Sequence, residues 1–113
     1  MLTYAIILFA IAAVGGVILA SSVLRGKLAP WALSLAHALL GAAGLVTLIL
    51  MLLQGSAGSR LSAALGLLVV AALGGFFLAS FHLRKKIPSR GLVIGHAGIA
   101  VAGFLTLLSL LLN

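Results

Sequence analysis

Three observations on the 113-residue sequence predict an all-α integral membrane protein, a four-transmembrane-helix up-down bundle made of two tandem parallel two-helix repeats. The first is composition: 65% of residues are hydrophobic and 6% charged, with no Asp, Glu or Cys, whereas a water-soluble surface needs about a quarter of its residues charged. The second is the placing of the few charges. They separate four apolar runs, each close to the roughly 20 residues that a helix needs to cross the hydrocarbon core. The third is internal similarity: laying Met1 over Arg60 through Gln54 over Asn113, a shift of 59 positions, leaves 22 identical pairs in 54. Residues 1–54 and 60–113 therefore read as two copies of one transmembrane hairpin, together one membrane domain.

The elements follow in order. Leu2 to Leu24 is the first apolar run, and the positive charges come after it, the reverse of a signal peptide. The link from Arg25 to Pro30 ends the first helix and starts the second, with Pro30 suited to a first turn that has no donor to lose. Trp31 then falls at headgroup depth, as an interfacial anchor. The second span runs from about Trp31 to Leu53 and stops at the small, polar connector from Gln54 to Arg60. A third span covers roughly Leu61 to Leu83, the stretch from Arg84 to Arg90 repeats the basic turn with more charge, and the fourth span runs to Asn113.

Charge sets the expected orientation. Arg25, Lys27, Arg84, Lys85, Lys86 and Arg90 lie on one side and Arg60 on the other, so both basic turns are expected in the cytoplasm of a bacterial inner membrane, with both termini outside. These cations flank apolar spans, without aromatics between them on a polar face. Their expected counterions are anionic lipid headgroups, and no nucleic-acid partner is expected. Because each copy crosses the membrane twice, both insert in the same sense and equivalent residues share one depth. Without side-chain carboxylates or thiols, acid/base catalysis by Asp or Glu and thiolate metal sites are excluded. Histidine is the side chain left to titrate near neutrality or bind a metal.

His37 and its copy His96 thus become the candidate metal-ligating pair. In an up-down bundle the second and fourth helices are diagonal, about 14 Å apart when neighbours stand about 10 Å apart. That gap is expected to be too wide for direct contact between imidazoles and to suit a flat metallomacrocycle between them. Gly16 lies 9 residues before Arg25 and His37 lies 10 after Lys27, so both sit about 14 Å from the basic turn at ~1.5 Å per residue. The doublets Gly15-Gly16 and Gly74-Gly75 are expected to clear the macrocycle's edges, and Gly41, Gly44 and Gly103 to keep the histidine faces low. Ser21 and Ser80, with Arg25, Lys27, Arg84 and Lys86, are expected to receive its carboxylates at the surface. Ser34, one turn before His37, is placed to orient that ring. Ligation needs neutral imidazole, which hydrocarbon also favours. Each feature has a plainer use as well: a histidine can pack against a carbonyl, glycines can mark close helix approach, as in the pair Gly91 and Gly95, and Thr47 and Thr106 can bond back to their own helices. His82, which replaces Val23, reads as interfacial.

On His37, His96, Gly41, Gly44, Gly103 and four spans covering nearly the whole chain, the protein resembles the small membrane b-type cytochromes of the cytochrome b561-like kind. That resemblance implies haem b inside a four-helix core; with two histidines at core depth in place of their common four, it implies one haem. The expected function is electron transfer to or from a quinone or a partner membrane subunit, by an accessory subunit more than by a catalyst in its own right. A bacteriochlorophyll-type pigment is the variant cofactor. The alternatives are a cofactor-free structural or assembly subunit of a larger complex, docking through its small-residue faces to a partner or a further copy of itself, and a small transporter or channel. The last resembles the small multidrug-resistance transporters in span number but lacks their membrane-embedded glutamate.

Overall fold

The computed structural model describes residues 1–56 and 58–112. Four helices follow in order, α1 (Leu2–Leu24), α2 (Trp31–Leu53), α3 (Ser59–Leu83) and α4 (Arg90–Ser109), the last continued by a 3-10 turn, Leu110–Leu112. All four are long and apolar enough to cross a membrane, and the bundle measures 43 × 21 × 19 Å, its long axis matching a bilayer with its headgroup layers. The chain is a multi-pass membrane protein. Ala57, in the connector, and Asn113, expected to close the fourth span, lie outside the described residues.

Helix ends are set by local chemistry that repeats between the copies. At the end of α1 the Gly26 N–H donates to the Val23 carbonyl and Lys27 N–H to Ser22, with Gly26 at φ +77°. At the end of α3 Lys85 and Lys86 donate to His82 and Phe81 in the same pattern. There a lysine, at φ +54°, takes the left-handed position that suits glycine better. Pro30 sits one residue earlier than expected, as the N-cap of α2 in extended conformation, because a proline needs no partner for a missing N–H. Its copy Ser89 caps α4 by accepting from the Leu92 N–H at 3.3 Å. Thr47 and Thr106 donate to Ala43 and Ala102, each at 2.8 Å, so both are bonded to their own helices.

Packing is tight within each hairpin and looser between the two, with α1 beside α2 and α4, and α3 beside α2 and α4. Helices α2 and α4 are therefore diagonal. Burial obeys the repeat: Ala5, Phe9 and Ala12 on α1 match Ala64, Leu68 and Ala71 on α3, and Leu48 on α2 matches Leu107 on α4. The large buried side chains gather at the end that holds Arg60, where Phe9, Leu48, Met51, Leu61, Leu68 and Leu107 form one core with Ala5 and Ala64. At the basic-turn end alanine and glycine, among them Ala12, Gly16, Ala71 and Gly75, are interspersed with larger apolar residues, and the helices leave a cleft between them. Arg90 ties the hairpins together there, donating to the Leu24 carbonyl at 3.0 Å and capping the last turn of α1.

Candidate cofactor site between the two histidines

The four helices leave between them a cleft of about 350 Å³ that reaches the outside past the exposed Val17, Phe76 and Val101. Phe9, Leu45, Leu68 and Phe104 close it above the bundle centre, and it runs down to Leu28, Ala29, His82 and Pro88 at the level of the basic turns. His37 enters from α2 and His96 from the diagonal helix α4. Their ring centroids are 6.3 Å apart and the planes stand at 81°. The two imidazoles approach more closely than the diagonal between helix axes suggested. Ala12 and Gly16 beside His37, and Ala71 and Gly75 beside His96, are small enough to let each ring lie close to the neighbouring helix of its own hairpin.

Orientation comes from the neighbouring helix of the same hairpin. Nδ1 of His37 lies 2.7 Å from the carbonyl oxygen of Ala12 on α1. A carbonyl can only accept, so Nδ1 donates, which in the neutral tautomer leaves the Nε2 lone pair available. This main-chain acceptor, and not Ser34, holds the ring; Ser34 lines the cavity nearby. No residue-type pattern could have announced Ala12, because every residue carries a carbonyl. The copy is incomplete. Ala71 offers the equivalent carbonyl to His96, yet Nδ1 of His96 is buried without a hydrogen bond that meets distance and angle.

The glycine doublets serve the imidazoles directly. A Cβ on Gly16 would stand 3.0 Å from Cε1 of His37, and one on Gly75 would stand 3.1 Å from Cε1 of His96. A Cβ on Gly15 or Gly74 would stand 4.0 Å from the Cβ of His37 or His96. The notch expected to clear a macrocycle's edge is thus occupied by the ring of the adjacent helix. Gly44 and Gly103 also fill a packing role: a Cβ there would meet Cζ of Phe9 at 2.6 Å or Cγ of Leu68 at 2.9 Å. Gly41 has open space over it and borders the cavity. Gly91 and Gly95, expected to mark close helix approach, have nothing within 4 Å of an added Cβ and line instead an outer groove between α3 and α4.

The remaining candidates stand at the rim. The hydroxyls of Ser21 and Ser80 donate to Ile18 and Phe77 in their own helices. Arg25 donates through Nε to the Ser21 carbonyl at 3.1 Å, and Arg84 to the Ser80 carbonyl at 3.3 Å and to its hydroxyl at 3.2 Å. Lys27 and Lys86 are exposed beside them. None of these six residues borders the cavity; they ring its basic end. His82, assigned to the interface, does border it and stacks on Trp31 with centroids 4.6 Å apart. The signal for that pair was present in sequence, an aromatic and a histidine both at headgroup depth, but nothing showed that α2 and α3 would set them face to face.

Chemically the site offers two imidazoles from diagonal helices, 6.3 Å apart between ring centroids, in an otherwise apolar cleft. No family model matches this chain, and no curated protein and no solved structure matches it significantly.

Proposed function

We propose that the protein is a membrane b-type cytochrome subunit that holds one haem between His37 and His96 and passes single electrons to or from a quinone or a partner membrane subunit. The observation that carries this reading is the 6.3 Å separation of the two imidazole centroids. Two imidazoles sharing one metal, at about 2.0 Å from metal to nitrogen and about 1.1 Å from nitrogen to ring centre, have centroids roughly 6 Å apart. The residues present fit the group in two further respects. The Ala12 carbonyl leaves Nε2 of His37 as the available ligand atom, and the cleft beside it is apolar and runs to Leu28, Ala29 and Pro88 next to the basic turns, whose arginines and lysines suit carboxylates.

When bound, haem held by His37 and His96 would supply reversible one-electron chemistry. The chain's own groups do the rest. Ala12 orients His37, Gly16 and Gly75 give the rings their seats, and Phe9, Leu68 and Phe104 exclude water from one side. The 6.3 Å separation of the two rings favours a single iron between them over bacteriochlorophyll-type pigments, which take one histidine each. The filled core at the Arg60 end leaves no polar path through the described residues, which counts against a transporter. The bias of basic residues supports a bacterial inner membrane with both basic turns in the cytoplasm.

Absorption spectroscopy on protein purified from a haem-replete host tests the proposal. The expected result is a low-spin spectrum with a Soret band and a sharp reduced α band, absent from the His37→Ala/His96→Ala double variant. A wild-type protein that stays colourless after haem supplementation refutes it.

A further inference from the structure

We infer that the two ligands are unequal: His37 is the fixed one and His96 the exchangeable one, so that a small neutral molecule such as carbon monoxide binds on the His96 side. The inference rests on the haem reading above and adds a ligand-binding property to it.

Two independent observations carry it. The first is the tether. His37 Nδ1 bonds to the Ala12 carbonyl at 2.7 Å, whereas Nδ1 of His96 has no such bond. A hydrogen bond from the distal ring nitrogen both fixes the ring's orientation and raises the basicity of the ligating nitrogen. His37 has both advantages and His96 has neither in full.

The second is the space behind each ring. Behind His96 lies the groove between α3 and α4, about 380 Å³, lined by Gly74, Phe77, Gly91, Gly95 and Ile99. A Cβ on Gly91 or Gly95 would meet nothing within 4 Å, and one on Gly74 would meet only His96 itself. In the first hairpin the positions of Gly91 and Gly95 are Ala32 and Ala36. There Cδ1 of Leu33 stands 3.8 Å from where a Gly15 Cβ would be, closing the notch behind His37. An imidazole that leaves the centre can therefore swing outward from α4 but not from α2. With haem held there, His96 would be the ligand that gives way and carbon monoxide would take its place, a neutral ligand for a neutral ligand with no change of oxidation state.

The test is titration of the dithionite-reduced, haem-loaded protein with carbon monoxide, followed by absorption. Wild type is expected to convert to a carbonyl spectrum. His96→Ala is expected to retain haem and give that same carbonyl spectrum, because His37 remains in both, while His37→Ala loses haem occupancy roughly tenfold. Gly95→Leu, which fills the groove and leaves the cavity wall unchanged, is expected to slow carbonyl formation about tenfold with an unaltered low-spin spectrum. A haem-loaded wild type that saturating carbon monoxide leaves unchanged overturns the inference and leaves the cytochrome proposal standing. A wild-type carbonyl spectrum matched by His37→Ala and not by His96→Ala also overturns it. A colourless wild type removes both.

Discussion

The two ends of the bundle are made from the same four helices and differ in what they do with the space between them. At the Arg60 end Phe9, Leu48, Leu68 and Leu107 interlock, and Leu48 and Leu107 are fully buried. At the basic-turn end the equivalent inward positions are Ala12, Gly16, Ala71 and Gly75, and the space they leave is taken up by two imidazoles and a cavity. In a bilayer, lipid tails are as apolar as leucine, so helices associate through close packing and not through escape from water. The filled end thus holds the helices together, which allows the other end to remain open. The difference teaches that a site of this kind needs a separate clamp: hollow and clasp divide along the membrane normal.

The largest expected effect breaks that division directly. Leu48→Ala, at the centre of the clamp, is expected to cost about 2 to 5 kcal/mol in thermal or denaturant unfolding in detergent. Gly41→Leu, which places a large side chain at the cavity wall where nothing lies within 4 Å, is expected to leave stability unchanged or raise it by up to about 1 kcal/mol, since leucine is the better helix former. The same variant is expected to abolish the Soret band. Equal destabilisation by the two would mean that the ends do not differ as described.

A smaller effect separates the two kinds of glycine. Gly44→Ala drives a methyl group to 2.6 Å from the Phe9 ring and is expected to cost about 1 to 3 kcal/mol through overpacking. Gly41→Ala, one turn away, is expected to be neutral or slightly stabilising in the same assay. The smallest effect concerns the turns. Lys85→Gly relieves a left-handed lysine at φ +54° and is expected to raise stability by about 1 kcal/mol, making the second basic turn equivalent to the first, where Gly26 already stands. No change in melting temperature would show that the turn tolerates lysine without strain.

Much of this was legible because membrane spans are a problem of length and composition. The bounds of α1 and α2, Leu2–Leu24 and Trp31–Leu53, coincide with the apolar runs, since backbone groups in hydrocarbon must bond within their own helix. The shift of 59 residues pairs Ala5 with Ala64 and Leu48 with Leu107, and each of the four is fully buried. It also placed His37 and His96 at equal depth, and helix adjacency put them on diagonal helices. What each glycine faces was not legible. Gly16 and Gly44 are alike as letters, yet one seats an imidazole and the other a phenyl ring, because that depends on rotation about the helix axis by fractions of a turn. The small pair Gly91 and Gly95 has the spacing of a helix contact and borders an open groove. Spacing alone does not say which way a stripe points.

The sequence by itself determined the four apolar helices and the register that pairs His37 with His96. Each follows from hydrophobic length, charge and repeat register, which are properties of the chain read along one dimension. Only the tertiary structure decided that the imidazoles would lie 6.3 Å apart, that the Ala12 carbonyl would hold one of them, and that its counterpart would be left without a bond. Those facts depend on how far apart diagonal helices settle once Phe9 and Leu68 have packed against Gly44 and Gly103, a balance of side-chain volumes from all four helices at once.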